Sequence, residues 1–178
     1  SFYGALKHEK IFKEIETYCM FIGHHGCGKT LTASLLDAHP NIVIADELGV
    51  LRYIHTRYRR EQIYYLLIKN SQSFAKTGRI SRGNSYRIPG QWHGNFKKLL
   101  IIGDNHGTAV ISRLHLWPWL LDRLYRTMGV KIRVFHTIRN PYDIITRNAK
   151  IEKISLRESI ESYFFNCETI AHARKRLA

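Results

Sequence analysis

Apolar positions along this chain keep two rhythms. Short unbroken runs read as strands buried on both faces: YCMFI (Tyr18–Ile22), NIVIA (Asn41–Ala45), KLLIIG (Lys98–Gly103) and KIRVFHTI (Lys131–Ile138). Between them the spacing is helical. The first such stretch is Ala5 to Tyr18, with Leu6, Ile11, Phe12 and Ile15 on one side. Thr30 to Ala38 follows and is stopped by Pro40, then Leu48 to Tyr58 and Glu61 to Ala75. Leu116 to Met128 has a proline near its start, and Asn140 to Lys150 starts at or near Pro141. A last helix opens at Ser155 with the capping box Ser155-x-x-Glu158 and carries the stripe Leu156, Ile160, Tyr163, Phe164, Cys167 and Ile170. From Thr77 to Asn95 the rhythm dissolves into TGRISRGNSYRIPGQWHGN, a long loop of the kind that serves as a lid or binding segment.

Strands alternating with helices predict an α/β fold, a three-layer α/β/α sandwich around a central parallel sheet. Ligands of such sheets bind at the carboxyl ends of the strands, and the loops after Ile22, Ala45, Ile102 and Ile138 all open there. The length, 178 residues, suits one domain with a real core, and no repeat or linker divides it.

Charge changes the picture. Lysine and arginine total 28 against 14 acidic residues, a formal charge of +14 that favours polyanions, nucleotides, and sulfated or phosphorylated substrates. Three cysteines (Cys19, Cys27, Cys167), with no CxxC pair, indicate neither a zinc site nor a disulfide framework; Cys19 and Cys167 read as buried small hydrophobes. No metal site is expected. No signal peptide opens the chain and no apolar run is long enough for a transmembrane segment, which points to a soluble protein in a reducing compartment such as the cytoplasm. A Golgi-lumen setting follows instead if the chain, which starts at Ser1 without a methionine, has lost an N-terminal anchor.

The chemistry concentrates after the first strand. Gly23-His24-His25-Gly26-Cys27-Gly28-Lys29-Thr30 fits the phosphate-loop pattern GxxxxGKS/T letter for letter, flanked by a strand and a helix as that pattern requires. Its glycines let successive N–H groups turn around an anion, and the helix points its positive end there. Lys29 adds a positive charge and Thr30 a hydroxyl, with His24 and His25 as loop imidazoles near phosphate.

The residues behind this loop carry a more particular resemblance. FIG-xx-xCGKTLTASLLDAHPNI resembles the opening of sulfotransferases that use 3′-phosphoadenosine-5′-phosphosulfate (PAPS), whose loop reads IGxxRSGTTLLxxLLxxHPxI. VFHTIRNPYDIITR resembles the same family's RxPxDxxxS turn, and ADE and IIGDN resemble further segments. The match covers most of Tyr18 to Arg147. It departs at Gly26, which replaces the basic residue of RSGTT, at Lys29, which replaces its first threonine, and at Arg147, which replaces the closing serine of RxPxDxxxS. Asn105 sits where IGDK presents lysine.

The resemblance implies a P-loop-type domain over residues 1–178, lacking the C-terminal lid region of relatives, that moves a sulfuryl group from PAPS to a hydroxyl or amine and leaves PAP. The acceptor class stays open among carbohydrate, lipid, peptide and small phenol. Gly23 through Thr30 would hold the 5′-phosphosulfate, with Lys29 on the leaving oxygen. Arg139, with Arg147 or Thr146, would hold the 3′-phosphate. Glu47 would be the general base, ahead of His106, with Asp104 supporting either. Two rival readings stand beside this one. A nucleotide kinase or NTPase would use ATP and magnesium, with LLIIGD presenting Asp104 to the metal. A nucleic-acid-binding module, the least favoured, would use Arg79, Arg82, Tyr86, Arg87 and Trp92 of the long loop.

Overall fold

The computed structural model describes residues 8–177. Among them the main sheet has four parallel strands: β1 (Thr17–Ile22), β2 (Ile42–Asp46), β5 (Ile101–Asn105) and β6 (Lys131–His136), in the order β2-β5-β1-β6. A two-residue-per-strand hairpin, β3 (Ile80–Ser81) with β4 (Asn84–Ser85), stands apart from it. The helices are α1 (Glu9–Phe12), α2 (Lys29–Asp37), α3 (Val50–His55), α4 (Arg60–Lys76), α5 (Gly107–Leu116), α6 (Leu120–Met128), α7 (Pro141–Glu152) and α8 (Leu156–Leu177). The result is the expected α/β fold, a central parallel sheet flanked by helices.

The unbroken apolar runs follow from coverage of both sheet faces. Cys19, Phe21 and Ile44 point to one side, against Ala33 of α2. Tyr18, Met20, Ile22, Val43 and Ala45 alternate to the other, where Leu51, Ile63, Leu67, Ile111, Leu124 and Ile170 close the larger core. Burial of these side chains is the main stabilising term, at roughly 25 cal/mol per Å² removed from water.

Several elements differ from the periodicity. The helix expected from Ala5 to Tyr18 stops at Phe12, because Thr17 already pairs between Ile101 and Lys131 and pulls the chain into β1; Ala5 and Leu6 lie outside the described residues. The third strand begins at Ile101 rather than Lys98, where its register with β1 and β2 starts. Helix α5 was not expected at all, and α6 starts only after Pro118. The stripe expected on the last helix does not form one buried seam. Ser159, Thr169, Ile170 and Ala173 are buried, whereas Leu156, Ile160 and Phe164 are exposed. The α8 face that packs on α7 and α5 is therefore rotated from the apolar maximum. The capping box at Ser155 is formed, with Glu158 accepting from Ser155 N at 2.8 Å and Ser155 Oγ accepting from Glu158 N at 3.2 Å. No helix among the described residues is long and apolar enough to cross a membrane.

Strand order carries the functional consequence. After β1 the chain crosses β5 to reach β2, and after β5 it crosses β1 to reach β6. Connections from neighbouring β1 and β5 thus leave in opposite directions, which opens a crevice between their carboxyl ends. The glycine loop lies at that crevice.

Candidate functional site

The loop leaves β1 tight against the turn that follows β6. Thr137 N donates to Ile22 O at 3.3 Å, and Cys27 Sγ sits 2.9 Å from Thr137 Oγ1. Arg139 Nη1 reaches Gly26 O at 3.4 Å. Gly28 caps α2 with φ 99°, a conformation natural to glycine, and a Cβ there would meet nothing within 4 Å. Gly28, Lys29 and Thr30 line an open cleft, and the first N–H groups of α2 have no intrahelical acceptor. These donors and the helix dipole suit an anion.

The loop sends its residues to two sides. His25, Gly26, Gly28, Lys29 and Thr30 line a cleft of about 240 Å³, shared with Glu47, Asn105, Arg139 and Arg147. His24 and Cys27 instead face a cavity of about 550 Å³ beside α8. There His24 stacks on Tyr163 with ring centroids 4.0 Å apart. Burial, then the charges of Lys29 and His136, lowers the His24 pKa to about 4, so its ring is neutral at physiological pH. Of the loop residues read as phosphate contacts, these two turn away from the cleft.

Lys29 is also not a free charge. Its Nζ donates to Gly23 O at 2.7 Å and His24 O at 2.6 Å, and the residue is buried. The ammonium holds the loop in its curve while lying at the cleft wall. Burial lowers its pKa, and Cys27 and Glu47 raise it in part.

The acidic residues divide their work. Glu47, at φ 54°, is exposed and lines the cleft, with its own N–H given to Asn105 O at 2.8 Å. Helix α3 does not begin until Val50, so Glu47 is not in its first turn. Asp104 takes that role from the neighbouring strand. Its carboxylate accepts from Leu48 N (3.1 Å), Gly49 N (2.9 Å) and Val50 N (2.9 Å), capping a helix whose own N-cap residue, Gly49, has no side chain. Burial pushes its carboxyl up to about 6 against the pull of these donors. Both oxygens accept from backbone N–H groups, and the His106 charge also acts to lower the Asp104 pKa, so its first role in this arrangement is to fix the start of α3.

His106 stands outside the cleft lining. Its ring packs on Gly49, with ring atoms 3.3–3.5 Å from where a Cβ would lie, and Nδ1 is buried without a hydrogen-bond partner among the described residues. Asn105 enters the site instead. Its Nδ2 donates to Asp46 Oδ1 at 2.8 Å and to Thr30 Oγ1 at 3.4 Å, placing an amide between β2 and the loop.

Arginine supplies the rest of the field. Arg139 precedes α7, whose start is fixed by Asn140 Oδ1 accepting from Tyr142 N at 2.9 Å and by Pro141. Arg147, on the same helix, lies against the loop. Thr146 does not reach the cleft and donates to Tyr142 O at 2.7 Å. A third guanidinium, that of Arg82, comes from the tip of the β3–β4 hairpin and donates to His25 Nε2. Arg82 and Gly83 both have positive φ (51° and 77°), the geometry of a tight two-residue hairpin turn. Ser81, Arg82 and Tyr86, from the long loop expected to serve as a lid or binding segment, join the cleft wall, although none of them was read as a phosphate contact.

The five long-loop residues read as a nucleic-acid surface do not form one. Arg79 is fully buried, bonded to Asp37 Oδ2 (2.6 Å) and Ser34 Oγ (3.0 Å). Arg82 and Tyr86 share a cleft with the glycine loop, while Arg87 and Trp92 line a separate hollow beside Lys76. The Arg79–Asp37 anchor folds the segment inward and separates them.

Taken together, the fold and the cleft define a parallel α/β protein with a glycine loop at a cleft lined by Arg82, Arg139 and Arg147. No family model matches the chain, and no curated protein matches its sequence at a significant level.

Proposed function

We propose that this chain is a sulfotransferase that takes a sulfuryl group from PAPS and gives it to a hydroxyl or amine acceptor. The observation that carries the reading is the composition of one cleft. A phosphate loop at a helix N-terminus faces the guanidinium groups of Arg82, Arg139 and Arg147, with Glu47 as the single carboxylate in the lining. That arrangement suits a donor with two separate anionic groups. The loop N–H groups hold the 5′-phosphosulfate, and Arg139 reaches toward a 3′-phosphate. A cavity of about 240 Å³ takes the anionic portion, while Leu31 and Tyr86 at its edge offer surface to the nucleoside.

In the reaction the acceptor oxygen or nitrogen forms a bond to sulfur as the bond from sulfur to the 5′-phosphate oxygen breaks. Glu47 accepts the acceptor's proton, and the departing PAP keeps the electron pair on its phosphate oxygen. The α2 N–H groups and the nearby Lys29 charge stabilise that developing negative charge.

The ATP–magnesium reading rests on the letter-for-letter loop and on Asp104 as a metal ligand. The three N–H donors that occupy the Asp104 carboxylate weigh against it. A thermal-shift comparison separates the two. PAP without metal is expected to raise Tm more than ATP with magnesium at equal concentration; an equal or larger shift with ATP–magnesium sinks the sulfotransferase reading.

A further inference from the structure

Two departures noted in the sequence meet in space. Gly26 has φ +76°, and a Cβ built on it would lie 2.6 Å from Arg147 Nη1, 3.2 Å from Cζ and 3.5 Å from Cδ. The end of the Arg147 side chain thus fills the volume that any side chain at position 26 would enter. We propose that Arg147 completes the anion site of the phosphate loop itself, supplying from α7 the cation that the loop lacks at Gly26, and does not serve the second, distal phosphate. The ligand group it takes is the tetrahedral oxyanion seated directly on the loop.

Three further facts support this. Lys29, the loop's own cation, spends its donors on Gly23 O and His24 O. Arg82 is engaged by His25, and Arg139 by Gly26 O and Asp143. Arg147 also lines the cleft, yet its guanidinium has no hydrogen bond or ion pair among the described residues. A planar fork held against the loop with its donors uncommitted is suited to two parallel bonds to one phosphate or sulfate group.

The assignment rests on the proposed reading only for the choice of nucleotide, and its test does not need it. Calorimetric titration of inorganic pyrophosphate, 5′-AMP and PAP into wild-type and Arg147→Ala protein decides the matter. Loss of Arg147 is expected to weaken all three about 10–100-fold, because each places an oxyanion on the loop. Arg147→Lys should recover only part of that loss, having no fork. If Arg147→Ala weakens PAP alone and spares pyrophosphate and 5′-AMP, the residue serves the distal phosphate and the proposal is overturned. Unchanged binding of all three, or no pyrophosphate binding by wild type, overturns it as well. Wild-type protein that binds PAP no tighter than 5′-AMP counts against the donor reading, while the pyrophosphate comparison still decides Arg147.

Discussion

Arg79 and Arg82 stand three residues apart and live in opposite worlds. Arg79 is fully buried on Phe74, with its Nη1 donating to Asp37 and its Nε to Ser34. The Asp37 carboxylate is completed by Ile44 N at 2.6 Å and Ser71 Oγ at 2.8 Å. This network ties the long loop to α2, β2 and α4. Arg82 is exposed, paired with a histidine, and aimed at a cleft where Glu47 is the lone acid. A buried arginine matched to an acid builds structure. Arginines gathered at the N-terminus of α2, with Glu47 the one carboxylate in the lining and Asp143 paired to Arg139, make a basic cleft. The first arrangement positions the second, because the anchored loop carries the hairpin that presents Arg82.

The comparison is broken or sharpened by substitutions with opposite signatures. The largest effect is expected at the cleft's carboxylate: Glu47→Gln should slow sulfuryl transfer by about 10²–10⁴ with PAP binding and Tm kept. His106→Gln is its control, and transfer lost there but spared at Glu47 would reverse the assignment. Arg79→Ala should do the converse, destabilising the fold by about 3–5 kcal/mol in urea denaturation because the Asp37 charge is left buried and uncompensated. A stable Arg79→Ala protein with weakened nucleotide binding would erase the distinction between the two arginines.

Lys29→Ala lies between these extremes. It leaves Gly23 O and His24 O without their donor, so about 1–3 kcal/mol of stability should go together with slower transfer. Unchanged transfer would mean that the α2 amides alone carry the leaving group. Arg82→Ala should leave stability within about 0.5 kcal/mol and weaken PAP by about tenfold. Loss of stability without loss of binding would move Arg82 into the structural class.

A pH-dependent effect concerns His24. Its folded pKa, about 4, lies below its unfolded value of 6.5, so between those values the unfolded chain binds more protons. Stability should therefore be full above pH 6.5 and fall as the pH is lowered toward 4. Tm measured across that window should show a shallower decline in His24→Phe. An identical slope would place the acid sensitivity elsewhere.

Local patterns were legible because they need no partner from afar. YCMFI, the glycine loop and the helix that Pro40 closes lie where the spacing put them. So does the start of α7 at Pro141. Helix α5 escaped notice because it opens at Gly107 and contains the β-branched Val110 and Ile111, all weak helix formers; packing against β1 and α8 sustains it. The same limit applied to the last helix. Its apolar stripe marks where hydrophobicity peaks, but the buried side was chosen by α7 and α5, which put Ser159 inside and Phe164 out.

What the sequence alone determined is the glycine loop, its flanking strand and helix, the parallel α/β class and the chain's excess of basic residues. Each is written in neighbouring residues or in composition. The roles of individual charges were decided only in three dimensions. Asp104 reads in sequence as a metal ligand or a helper of the base; the fold adds that the N–H groups of Leu48, Gly49 and Val50, at the start of α3, donate to its oxygens. Arg79 looked like its neighbour Arg82 until Asp37 took it into the core. Gly26 and Arg147 looked like two unrelated departures until α7 laid one across the other. A side chain's chemistry is set by its desolvation and by the partner within hydrogen-bond reach, and chain folding brings those partners from distant positions that local pattern does not encode.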